Sequence, residues 1–186
     1  MYDNIERELK LLIDEEVYNK LLHSYDFQNP ITQTNTYFDT KNQDVKKQHS
    51  AVRIRMIQDK KIFTLKIRKD EYTHYEFEKE INTENIDDIN DTEILNWFDQ
   101  YQIPKNLDPT VSFTTLRYVY KFEHGELCLD KTDYKNHTDY EIEYEYTSDH
   151  DGIHFFNSIL EKYDLKWIKN CPSKIARALN GIYKTR

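Results

Sequence analysis

The chain has 186 residues, 32% of them charged, 38% hydrophobic and 14% aromatic, with a formal net charge of −8. With only 3 Gly and 4 Pro, this composition supplies a core and argues against disorder. The acidity argues against non-specific nucleic-acid binding and leaves room for a local basic pocket that holds a small anion.

No apolar run reaches the length of a membrane span. The first residues carry neither the basic nor the apolar region of a signal peptide. Cys128 and Cys171 lack metal-ligand spacing and are expected as free thiols in a reducing cytoplasm. With no linker or repeat, residues 1–186 are expected to form one domain.

The first element is a strand over Ile5–Leu11. Ile5, Arg7, Leu9 and Leu11 fall on one face; Glu6, Glu8 and Lys10 fall on the other. Asp14-Glu15-Glu16 opens a helix reaching Ser24, since acidic residues suit the positive end of the helix dipole. Its stripe is Val17, Leu21 and Leu22. A loop at Asn29-Pro30 leads to a strand over Thr34–Asp39. Lys41–Ser50 is a polar connection with room for one helical turn.

Ala51–Gln58 alternates Val52, Ile54 and Met56 against Arg53 and Arg55. A hairpin through Asp59-Lys60 leads to Lys61–Arg68, where Leu65 and Ile67 oppose Thr64, Lys66 and Arg68. In Thr73–Ile81, Tyr75, Phe77 and Ile81 oppose Glu76, Glu78 and Glu80. The acidic run Glu84–Asp91 reads as a solvated loop. Asp91–Tyr101 is a helix capped by Asp91 or Thr92, ended by a loop holding Pro104 and Pro109.

Thr110–Phe122 is a strand rich in β-branched and aromatic residues. His124-Gly125 turns into Glu126–Lys131, and Asp133–His137 is a loop. Thr138–Thr147 sets Ile142, Tyr144 and Tyr146 against Glu141, Glu143 and Glu145. Two helices follow, over Asp151–Tyr163 and from Pro172-Ser173 to Tyr183, with Pro placed at a helix start.

Eight strands with mostly short connections point to a closed antiparallel sheet, a mainly β member of the α+β class. At least five strands carry ionisable groups on one face only. Those groups can face solvent around an apolar interior, or line a charged lumen. The amphipathic helices favour the lumen, because they need an apolar outer surface to cover. Carboxylates two apart on a strand lie about 7 Å apart and can converge on a hard cation such as Mg²⁺ or Mn²⁺. Arginines match phosphate oxygens with a planar fork of donors. The pattern thus points to a metal–phosphate site.

The rest reads as structure. The seven histidines, His23, His124 and His154 among them, are expected on turns and helix surfaces, with almost none binding metal. Trp97 and Trp167 read as packing residues in or beside helices.

The sequence also resembles a known family. Glu6-x-Glu8-x-Lys10 is similar to the signature of the CYTH domain, or triphosphate tunnel metalloenzymes, which joins class IV adenylate cyclases and thiamine triphosphatases. Tyr37-Phe38-Asp39-Thr40, Val52-Arg53-Ile54-Arg55, Thr64-Leu65-Lys66, Glu78-x-Glu80, Arg117, Asp130, Glu141-Ile142-Glu143 and Ser173-Lys174 follow in the family's order. The resemblance is strongest to single-domain proteins of Gram-positive bacteria.

It implies an eight-stranded antiparallel tunnel with outer helices, binding a triphosphate with one or two Mg²⁺ or Mn²⁺ ions. Lys10, Arg53, Arg55, Lys66, Arg117 and Lys174 would hold phosphate. Glu6, Glu8, Asp130, Glu141 and Glu143 would hold metal. Lys10, Glu8 and Glu143 would serve catalysis, with Arg68, Glu78, Glu80 and Glu145 on the same faces. Cyclase members tend to carry lysine where this chain has Thr115. The resemblance covers hydrolysis and cyclisation equally; hydrolysis of inorganic tripolyphosphate or of a nucleoside or thiamine triphosphate is the expected activity, because it asks less of the scaffold. Cyclic AMP formation from ATP and non-catalytic sensing of polyphosphate or nucleotide are the alternatives. A cytoplasmic monomer or homodimer is expected, with no membrane or nucleic-acid partner.

Overall fold

The computed structural model describes residues 4–183. Eight antiparallel strands close into a barrel: β1 (Ile5–Ile13), β2 (Ile31–Asp39), β3 (Ser50–Ile57), β4 (Lys60–Arg68), β5 (Thr73–Ile81), β6 (Asp108–Lys121), β7 (Gly125–Asp133) and β8 (Thr138–Tyr146). Their order around the barrel is β1-β5-β4-β3-β2-β6-β7-β8. The helices are α1 (Glu15–Leu22), α2 (Asp44–Lys47), α3 (Thr92–Gln100), α4 (Gly152–Leu160) and α5 (Lys174–Tyr183). Among the described residues no helix is long and apolar enough to cross a membrane.

The register decides the polarity question. Arg53 lies opposite Thr64, Thr64 opposite Glu78, Lys66 opposite Glu76, Arg117 opposite Asp130, Asp130 opposite Glu141 and Lys10 opposite Glu143. Directly opposed residues share a face, so the charged rows line one continuous interior.

The apolar rows point outward under helices. Val52, Ile54, Phe63, Leu65 and Phe77 form one core with Ile94 and Phe98 of α3. Leu9, Leu127, Leu129, Ile142 and Tyr144 form another with Tyr18 and Leu21 of α1 and Phe156, Ile159 and Leu160 of α4. A smaller cluster inside the barrel, Tyr37 stacked on Phe113 with centroids 5.5 Å apart, packs against Ala178 and Ile175 of α5. Trp97 packs on Phe77 and Trp167 on Tyr72, as expected of packing residues.

Strands β1, β2, β4, β6 and β7 run longer than the alternation indicates, and three local readings are corrected. The first hairpin turns at Gln58-Asp59, with Ile57 paired to Lys60 and Gln58 at φ 54°. Pro109 lies inside β6, not in the loop. It pairs with Phe38 where the β2–β6 register shifts, a bulge that tolerates a residue lacking N–H. The run 84–91 is anchored, because Ile86 is buried in a short 3₁₀ turn and Asp91 caps α3 while pairing with Lys79 at 2.9 Å.

Among the described residues the β1–β5 seam is the short one, with register partners at Ile5, Glu6 and Arg7. Beyond it the segment before α5 takes over. Asn170 Oδ1 accepts the Lys10 backbone N–H at 2.8 Å and the Trp167 Nε1–H at 2.9 Å, while its amide donates to the Glu8 carbonyl at 3.0 Å. Cys171 N–H donates to the Lys10 carbonyl at 3.3 Å. This docking sets the start of α5 beside the lumen. Phe63, fully buried between barrel and α3, gives a direct test of the outward core. Phe63→Ala is expected to cost about 3–5 kcal/mol in urea unfolding.

Candidate functional site: a charged lumen

Two carboxylate clusters face the lumen. The first is Glu6 and Glu8 of β1 with His74 of β5; the second is Asp130 of β7 with Glu141 and Glu143 of β8. In each, one potential ligand atom per residue lies within 4.8 Å of the others. Glu8, Asp130, Glu141 and Glu143 are buried.

Lysines sit inside both clusters. Lys66 Nζ pairs with Glu6, with Glu8 at 2.9 Å and with Glu76 at 3.6 Å. Lys10 Nζ also reaches Glu8, at 3.0 Å. Lys174 Nζ lies 2.8 Å from Asp130, 2.5 Å from Glu141 and 2.6 Å from Glu143. Arg117 grips Asp130 with two bonds, of 2.7 and 2.6 Å, and reaches Glu143 at 2.5 Å. These contacts form two ion networks, one on β1, β4 and β5 and one on β6, β7, β8 and α5, with Lys10 opposite Glu143 where they meet.

Across the lumen, β3 presents two guanidinium groups. Arg53 donates to Glu78 at 3.3 Å, and Thr64 donates to the same oxygen at 3.0 Å. Arg55 differs from every other lumen cation. Its Nε donates to Asn35 Oδ1 at 2.9 Å, and no carboxylate among the described residues lies within 4.0 Å of it. Burial, Arg53 and Arg117 lower its pKa to about 10. A half-buried cation beside like charges is an incomplete arrangement that an anion would complete.

The carboxyls are driven apart by their surroundings. Burial raises Glu6 to about 7, with Glu8 adding to the shift and Lys66 opposing it. Burial works against ionising Glu8 as well, yet Lys10 and Lys66 outweigh it and hold the carboxylate charged. Glu141 is raised by burial despite Lys174. Glu143 is held well below the usual range because Arg117 and Lys174 overcome its burial. Burial, then Glu6 and Glu8, raise Glu145 to about 8. His74 falls to about 4 through burial and Lys66, so it is neutral at pH 7.

Of Arg68, Glu78, Glu80 and Glu145, Glu78 bonds Arg53 in the lumen and Glu145 lies opposite Glu8, whereas two stay outside. Arg68 is exposed and donates to the Asp70 carbonyl at 3.1 Å; Glu80 is exposed and pairs with Lys60 at 3.7 Å. Both lie toward strand ends, where the barrel opens to water.

The structure adds residues the sequence reading passed over. Arg177 binds Asp139 at 2.8 Å and Glu141 at 2.7 Å. Its signal was spacing, since it follows Lys174 by three positions on one helix face. His74 was readable by alternation with Glu76 and Glu78, and it corrects the placement of the histidines on turns and helix surfaces. Asn35 and Gln33, both buried, give β2 a neutral inner wall.

A CYTH domain profile matches residues 4–178. The chain belongs to the CYTH domain family. It is 28% identical over 174 residues to a Bacillus subtilis protein provisionally named a triphosphatase, YjbK, spanning 89% of this chain and 90% of that one. A structure from Bacillus halodurans, provisionally described as an adenylate cyclase, superposes with TM-score 0.80 at 30% identity, covering 94% of this chain and 97% of that one. HpAC1 from Hippeastrum, described as an adenylyl cyclase candidate with dominant triphosphatase activity, superposes with TM-score 0.75 at 24% identity over 96% of both chains. At that identity the likeness concerns the fold.

The raised carboxyls carry a pH signature for this CYTH protein. Glu6 and Glu145 hold their protons more tightly folded than unfolded, where the carboxyl value is near 4.5. The folded state therefore binds more protons, and stability falls as pH rises through 7 and 8. In chelator, the melting temperature is expected to drop between about pH 5 and pH 9, and Glu145→Gln to flatten the drop. An unchanged profile in that variant would remove Glu145 from the account.

Proposed function

We propose that the chain is a divalent-metal-dependent hydrolase of a triphosphate bound in the lumen. Arg55, the half-buried lumen cation with no carboxylate partner among the described residues, carries this reading. Together with Arg53 and Arg117 it forms a wall of guanidinium groups facing two carboxylate clusters, as a polyanion with a divalent counter-ion requires.

Glu6 and Glu8 would hold metal at one cluster, and Asp130, Glu141 and Glu143 at the other. The donors fit: their oxygens converge within 4.8 Å, and hard cations such as Mg²⁺ or Mn²⁺ select oxygen. When bound, the metal supplies Lewis-acid neutralisation of phosphate charge and acidifies a water.

The chain's own groups do the rest. Arg53, Arg55, Arg117, Lys66 and Lys174 bind and orient phosphate oxygens, and their preset positions favour charge developing on those oxygens. Lys10, fixed at Glu8 and near Glu143, positions the attacking water with Glu8 and Glu143. Glu145, the third carboxyl of the β8 row, stands at the edge of this arrangement.

The substrate classes are inorganic tripolyphosphate and nucleoside or thiamine triphosphates. The whole of 1–186 acts as one tunnel domain, in the cytoplasm, as monomer or homodimer.

Cyclisation of ATP is the alternative, favoured by the description of the Bacillus halodurans relative. The position where cyclases tend to have lysine is Thr115, buried and bonded to Thr132 at 2.9 Å. That leaves a neutral hydroxyl where a cyclase offers a cation.

Incubation with tripolyphosphate, ATP and thiamine triphosphate, each with Mg²⁺ or Mn²⁺, separates the readings. Orthophosphate is the expected product. Glu8→Gln and Glu143→Gln are each expected to lower metal-dependent turnover by about a hundredfold or more. Cyclic AMP with pyrophosphate would establish the cyclase, and metal-dependent binding without product a sensor.

A further inference from the structure

His74 has no role in the ion network around it. It stands opposite both Glu6 and Arg68 in the register, so its ring faces the lumen. A ring nitrogen lies within 4.8 Å of oxygens from both Glu6 and Glu8. Nδ1 is buried and has no hydrogen-bond partner among the described residues. A buried imidazole beside two carboxylates ordinarily donates to one of them. Here Lys66 takes the carboxylates, binding Glu6, Glu8 and Glu76 and leaving the imidazole out. The ion pairs of the lumen therefore give no reason for a histidine at this place.

A divalent ion does give a reason. We propose that His74 is a nitrogen ligand to the metal held by Glu6 and Glu8. The assignment rests on the metal-dependent reading of the lumen. It sharpens that reading, because the donor set becomes two carboxylates and an imidazole. Carboxylates and water suit Mg²⁺, whereas imidazole suits the later first-row ions. The ion at this cluster is then selected toward Mn²⁺, Co²⁺ or Zn²⁺ over Mg²⁺. The second cluster, Asp130, Glu141 and Glu143, offers oxygen alone. The two ends of the carboxylate network thereby differ in metal preference.

Pulsed electron paramagnetic resonance of the full chain loaded with about one equivalent of Mn²⁺, without substrate, tests this directly. Coupling to a protein ¹⁴N nucleus is expected in the parent chain and is expected to vanish in His74→Gln. Calorimetric titration should show Mn²⁺ and Co²⁺ affinities falling by about tenfold or more in that variant, with Mg²⁺ affinity changing by less than about threefold. His74→Asn serves as the second variant if His74→Gln loses the cooperative melting of the parent.

Absence of ¹⁴N coupling in the parent chain would overturn the assignment. So would its persistence in the variants, or a loss of Mg²⁺ affinity as large as that of Mn²⁺. None of these signals depends on turnover. A protein that fails to hydrolyse triphosphates can still support the ligand, and an active one can overturn it.

Discussion

The whole structure depends on one constraint, that charges taken out of water must be paired. Asp130 and Glu141 are fully buried, with Glu8 and Glu143 nearly so. Removing one partner from such a network leaves an uncompensated charge and costs about 3–5 kcal/mol. Lys66, Arg117 and Lys174 each touch two or more carboxylates, so none of these four carboxylates depends on a single cation. Because the interior is given to charge, the hydrophobic core has to lie outside the barrel. The helices are the consequence: α1, α3 and α4 exist to cover what the outward rows expose.

The same constraint explains why α5 belongs to the barrel. Its Lys174 and Arg177 neutralise Glu141, Glu143, Asp130 and Asp139, which would otherwise crowd one wall. Asn170 and Cys171 fix the approach to α5 by hydrogen bonds to the β1 backbone at the weak β1–β5 seam. Closure of the barrel and placement of the last cations are therefore one event. The compensation is uneven around the ring. β1, β5 and β8 carry acid, β3 carries base, and β2 offers Gln33 and Asn35, which are neutral. The imbalance collects at Arg55, whose guanidinium faces Asn35 in place of a carboxylate.

The fold was legible because alternation is a local property. In β8 every second side chain is ionisable and β3 sets Arg53 two residues from Arg55, and period two alone assigns Arg53 with Arg55 and Glu141 with Glu143 to common faces. The boundaries were less legible. Pro109 reads as a loop residue until the β2–β6 bulge gives it a place, and Ile86 reads as part of a solvated run until α3 and the barrel cover it. Each depends on a partner strand or helix distant in sequence.

By itself, the sequence determined which residues share a face, that charged rows recur on successive strands, and that amphipathic helices need an apolar surface. These follow from backbone periodicity and side-chain polarity, both carried by neighbouring residues. Only the tertiary structure decided which rows oppose one another. Closure placed Lys174 among Asp130, Glu141 and Glu143, left Arg55 facing Asn35 in place of an acid, and set His74 beside Glu6 and Glu8. Register and closure are set by the cooperative packing of strands far apart in the chain, so the identity of a residue's neighbour across the lumen is a property of the whole barrel.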